Sequence, residues 1–179
     1  MSADAPASRR SALEDRRGGP QTDRRATSRG PTLSLTTPQR IRCAEVPDLE
    51  TASWTNAWRI GNEVVLSGMT GHPATRKAAA VGIPLGAYEQ ALLVFGKLEA
   101  LVQAAGGHRH NIVKTVVYVT RMADKEEIGR ARREFFGDHF PCSTLVAVSE
   151  LVFPELLVEI DAWARLDVDL RDASLTGVV

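Results

Sequence analysis

Cysteine is scarce in this chain. Its 179 residues hold two, Cys43 and Cys142, far apart and without a CxxC pair or Cys/His cluster. That excludes a disulfide framework and a thiolate zinc site of ordinary spacing, and it points to a reducing compartment, the cytoplasm. Net charge is missing as well, with 22 Lys+Arg against 22 Asp+Glu. A concentrated basic field for phosphate is therefore not expected, and with aromatics at only 6% and no basic–aromatic motif, nucleic acid is not an expected partner. No apolar run approaches the ~18–20 residues that span a bilayer, and the N-terminus lacks the apolar stretch of a secretory signal, so no membrane is expected either. No internal repeat runs at a fixed period.

The neutrality is a cancellation. Residues 1–30 carry seven Arg against four acids, a charge of +3, which leaves −3 on the remainder. Residues 1–37 have scarcely any large apolar side chain and cannot offset the entropy of ordering their backbone, so they read as a disordered Arg-rich extension. Its paired arginines suit either a weak anion-binding arm or a solvated tail.

Beyond it the texture changes. Trp54–Ile60, the turn Gly61-Asn62 and Val64–Gly68 read as a β-hairpin. The Gly- and Pro-rich stretch 70–86 reads as a long loop. Tyr88, Ala91, Leu92, Phe95, Leu98, Leu101, Val102 and Ala105 form one helical stripe, stopped by Gly106-Gly107. The β-branched run Asn111–Thr120 reads as a strand. Asp124 and Glu127 make a capping signature for a second helix, with Ile128, Ala131, Phe135 and Phe136 on its buried side. Residues 143–151 and 156–166 alternate, and the turn at Pro154 suggests an antiparallel hairpin. Leu145, Leu157 and Trp163, with Glu159 and Asp161, are expected on an exposed sheet face suited to an oligomer interface. The layer rules then give an α+β two-layer sandwich, a mixed β-sheet with two helices on one face, over residues 38–167, followed by a short C-terminal tail, 168–179.

LSGMTG (66–71), KLEALVQAAGG (97–107), NIVKTVVYVT (111–120) and LLVEIDAWA (156–164), in this order, resemble the Rid family, also called YjgF/YER057c/UK114. The resemblance covers about residues 54–166. It implies a chorismate-mutase-like fold and a homotrimer whose sheets line a central barrel, with pockets between subunits for a small-molecule substrate. The best-known members hydrolyse enamines and imines such as 2-aminoacrylate without metal or organic cofactor. In that deaminating branch an arginine grips the substrate carboxylate; this chain has Ser143 at that position, within Pro141-Cys142-Ser143-Thr144. Loss of a bidentate clamp implies roughly ten- to hundred-fold weaker binding of a small iminoacid. Trp54, Ala123 and Leu145 replace a family tyrosine, asparagine and cysteine, whereas Ser67, Gly68 and Glu159 are retained.

The resemblance thus nominates Glu159 and Ser67 for catalysis, and Trp54, Gly68, Met69, Tyr118, Ser143 and Thr144 for substrate binding. Each has a structural alternative. Glu159 in an apolar strand suits proton transfer, or it is a carboxylate capping amides at a subunit seam. Ser67-Gly68 offers a hydroxyl and an amide, or marks a strand-ending bulge. The three tryptophans suit a pocket wall or interface packing. His108 and His110 lack a third metal ligand and read as a polar turn, and Cys142 reads as core packing. The expected activity is hydrolysis or tautomerisation of an imine or enamine of a dedicated pathway, of aminomuconate-deaminase type. The competing expectation is a non-catalytic trimer that binds a metabolite.

Overall fold

The computed structural model describes residues 35–174. The expected disordered extension lies outside the described residues, apart from its last three positions. Six strands form one sheet: β1 (Gln39–Arg40), β2 (Ala57–Ile60), β3 (Glu63–Thr70), β4 (Ile112–Val119), β5 (Cys142–Ala147) and β6 (Val158–Arg165). Their order is β1-β2-β3-β6-β4-β5. All neighbours run antiparallel except β4 and β5, which are parallel, so the sheet is mixed as expected.

β2 and β3 form the expected hairpin, turning at Gly61 with φ 63°, a left-handed value that suits glycine. Helix α2 (Ala87–Ala104) buries Ala91, Phe95, Leu98, Leu101 and Val102, and Gly106 at φ 93° follows its end. Helix α3 (Lys125–Phe136) packs on α2 through an aromatic cluster. Phe95 stacks on Phe135 at 5.0 Å, and Phe136 meets Phe95 edge-on at 5.6 Å. The core lies between α2 and the sheet face carrying Val64, Leu66, Val117, Val119, Val158, Ile160, Ala162 and Ala164.

Five local expectations are corrected. A short helix α1 (Ala74–Ala80) occupies part of the stretch read as loop; its alanines favour a helix once Pro73 has set the first turn. Residues 143–151 and 156–166 do not form a hairpin: β5 pairs with β4, and β6 inserts between β3 and β4. Alternation reports which face a residue takes, not which strand lies beside it. Leu145 consequently sits opposite Val117 on the helix-covered face, and both it and Leu157 pack against the core rather than on the open face. Cys142, at the exposed edge strand, is exposed rather than buried. The Asp124 side chain does not cap α3, because its carboxylate binds the Arg121 guanidinium at 2.9 and 3.1 Å. No described helix is long and apolar enough to cross a membrane.

Candidate active site

Strand β3 meets β6 with a register shift. Leu66 lies opposite Ala162 and Met69 opposite Ile160, so Ser67 and Gly68 together face Asp161. This is the geometry of a β-bulge, and it brings the backbone at Gly68 over the carboxylates of β6. A Cβ on residue 68 would stand 2.9 Å from Glu159 Cδ and 3.0 Å from Asp161 Oδ1. A side chain there could be accommodated only if the Glu159 and Asp161 carboxylates moved aside.

Glu159 is half-buried, on the sheet face opposite the core. Burial, and secondarily the neighbouring charge of Asp161, pushes its carboxyl above the usual 4.5. Among the described residues no donor bonds the Glu159 carboxylate. Asp161, two residues on, accepts a hydrogen bond from the Tyr118 hydroxyl at 3.0 Å, which pushes the phenol's pKa upward. One of two adjacent acids is thus tied to a phenol while the other is left free and partly desolvated.

Glu159 opens into a cavity of about 460 Å³ with Ser67, Gly68, Thr70 and His72 along one side and Leu49, Trp54, Val152 and Phe153 as apolar walls. A smaller recess of about 290 Å³ lies on its other side, against Tyr118, Val148 and Leu151. Larger surface grooves elsewhere, such as that beside Arg42 and Asp48, hold none of this chemistry. Below the cavity the Lys97 ammonium, half-buried in α2, donates to the carbonyls of Thr70 (2.8 Å) and His72. Its desolvation lowers its pKa. The loop carrying Val152 and Phe153 is fastened through buried Gln90. That amide donates to Leu85 O (2.9 Å) and Glu155 O (3.0 Å) and accepts from Leu157 N (2.9 Å).

Of the residues nominated from sequence, Trp54, Ser67, Gly68 and Glu159 line this one cavity, and Tyr118 borders the recess behind Glu159. The Ser67 hydroxyl is already engaged, donating to Thr55 O at 2.6 Å. Met69 turns into the core at 5% exposure. Ser143 and Thr144 lie on β5, two strands from β6. Ser143 is in register with buried Thr115, whose hydroxyl donates to it at 3.0 Å, so it stands on the face opposite Glu159. Thr144 accepts from Lys114 Nζ at 2.7 Å. His72 and Phe153 carry no signal in the sequence, since each sits in a loop with no periodicity. His108 and His110 gain a third imidazole, with His110 and His139 ring centroids 5.7 Å apart, yet no group of three or more metal-binding side chains among the described residues is placed to hold an ion.

The bulged strand, the acid it faces and the mixed sheet under two helices define an α+β protein of the YjgF type. The Endoribonuclease L-PSP family profile matches residues 47–166, and the chain belongs to that family, the Rid or YjgF/YER057c/UK114 family. It is 62% identical to a protein of unknown function from Pseudomonas aeruginosa whose crystal structure superposes with a TM-score of 0.77, covering 78% of this chain and 100% of that one. It is 26% identical to a YjgF/YER057c/UK114 family member from Mycobacterium tuberculosis, TM-score 0.60, covering 72% and 99%. It is also 28% identical over 114 residues to a 2-iminobutanoate/2-iminopropanoate deaminase from Dermatophagoides farinae, covering 64% of this chain and 87% of that one.

Proposed function

We propose that this chain is a cofactor-independent hydrolase of imines or enamines, assembled as a cytoplasmic homotrimer. The observation that carries the reading is Glu159: a half-buried carboxyl with a raised pKa, unpaired, lining a largely apolar cavity. The deaminase name of the mite relative supports the reaction class. In the proposed step Glu159 takes a proton from water as its oxygen adds to the imine carbon. That proton passes to the imine nitrogen to give the tetrahedral carbinolamine; Glu159 then takes the hydroxyl proton and delivers it to the amino group, so that the C–N bond breaks, ammonia leaves and the carbonyl forms. A general base with a pKa raised towards the working pH suits both transfers.

Trp54 and Phe153 would bound a planar, partly apolar substrate, and Gly68 would let it approach the acid. Ser143 and Thr144, on the exposed β5 edge, would enter a pocket only when a second copy brings that edge to the cavity. Trp54, Leu49 and Val152, exposed at 54%, 58% and 72%, would be covered by the same assembly. With serine at the clamp position, 2-iminobutanoate is expected to be a poor substrate. The test is ammonia release from a panel of imines generated in situ by an amino-acid oxidase, at sub-stoichiometric protein, alongside light-scattering mass. Turnover lost in Glu159→Gln with a trimer mass retained supports the reading. Metabolite binding without ammonia release from any imine replaces it with a binding trimer.

A further inference from the structure

His72 lines the same cavity as Glu159, from the loop that follows β3. Its ring packs on Phe153 with centroids 4.9 Å apart, and its backbone is fastened, the amide donating to Thr70 Oγ1 at 3.3 Å and the carbonyl accepting from Lys97. Nδ1 is sealed from solvent and has no partner among the described residues. A buried lone pair is less costly to leave unpaired than a buried N–H, so the proton belongs on Nε2, which is then a donor waiting for an acceptor.

The charges around it favour an anion. Arg76 stands over the Phe153 ring at 4.4 Å and pairs with Glu155 at 3.0 Å, and Lys97 lies below. Burial and then these two cations lower the His72 pKa, against a smaller opposing pull from Glu155. Glu159 lines the same cavity with the opposite chemistry, a free acid. The cavity therefore holds a free acid and an unpartnered imidazole, with Trp54, Leu49 and Phe153 among its apolar walls.

We propose that His72 is a substrate-binding, specificity-determining residue that receives a carboxylate or other anionic acceptor remote from the reacting carbon. The preferred substrate is then a planar imine or enamine with its acid group at the far end, rather than a short 2-iminoacid. This rests on the hydrolase reading for the reacting end. It makes the imidazole, with Arg76 behind it, the anion-recognising element of a chain that has serine at the family's arginine position.

The test uses two product-like ketones of the same planar body, 4-acetylbenzoate and acetophenone, with full-length protein labelled at the histidine ring carbons. The expected result is that 4-acetylbenzoate shifts the His72 resonances and raises its pKa, while acetophenone leaves the pKa in place. His72→Leu should weaken 4-acetylbenzoate binding about tenfold and leave acetophenone binding unchanged, with His72→Gln, which keeps a neutral donor, in between. A His72 titration unmoved by 4-acetylbenzoate, or equal affinity in His72→Leu, overturns the proposal. Selective 4-acetylbenzoate binding without ammonia release from any imine would instead defeat the hydrolase reading alone.

Discussion

The Glu159 carboxylate fills the space that a side chain at residue 68 would need. Its Cδ lies 2.9 Å from where the Cβ would be, with Asp161 Oδ1 3.0 Å from the same point. The bulge in β3, glycine at its second position and the acid on β6 are one device, and altering any of them should disturb the others.

Gly68→Ala is therefore expected to push the Glu159 side chain out of place. Ammonia release should fall at least tenfold with little change in stability, since the atoms in the way are the ends of flexible side chains rather than core or backbone. Gly86→Ala, next to the N-terminus of α2 and away from the cavity, serves as the comparison. Thermal melts and initial rates on both variants check this.

Glu159 should oppose folding at neutral pH. Its folded pKa lies above 4.5, so between 4.5 and that value the folded protein keeps a proton that the unfolded chain has lost. Stability from this group is present at low pH and is lost as pH rises through the window. Glu159→Gln should melt higher than the parent at pH 7, and the gap should close below about pH 4. A gap of opposite sign would mean that the carboxylate is paired rather than desolvated.

Gln90→Leu should cost about 3 kcal/mol or more, since it strands the carbonyls of Leu85 and Glu155 and the amide of Leu157. In a domain of this size that is a fall of roughly 10 °C in Tm. Hydrogen exchange should show the 148–157 loop loosening before the rest of the sheet.

Lys97→Met should free the Thr70 and His72 carbonyls and remove a nearby cation. The His72 pKa should rise towards its ordinary 6.5, because Lys97 is one of the charges holding it down. Histidine-ring NMR titration reads this directly.

How much of this was legible in the residues depends on the element. The Tyr88 to Ala105 stripe specified α2 because a helix repeats its buried face within a few residues, and the Gly61-Asn62 turn specified the hairpin in the same local way. The parallel pairing of β5 with β4 was not legible. Alternation in β5 and β6 fixes faces but leaves the neighbour to a crossover through α3. Ser67, Gly68 and Glu159 are legible because each lies in a contiguous motif, 66–71 or 156–164, and Trp54 because it stands at a family tyrosine position. His72 and Phe153 lie 81 residues apart in loops and meet only through the folded chain. Ser143 was placed in the site by resemblance, and the protomer sets it on the other face of the sheet.

The most direct test is the pH dependence of kcat/KM for ammonia release, set beside the titration of the Glu159 side-chain carboxyl followed by carbon NMR. With Glu159 as the base, activity rises with pH along a limb whose midpoint lies above 4.5 and coincides with that carboxyl's own midpoint. Asp161→Asn should move both downward together, since the Asp161 charge helps raise the pKa of Glu159. An activity limb that ignores the Glu159 titration, or full turnover in Glu159→Gln, would contradict the account.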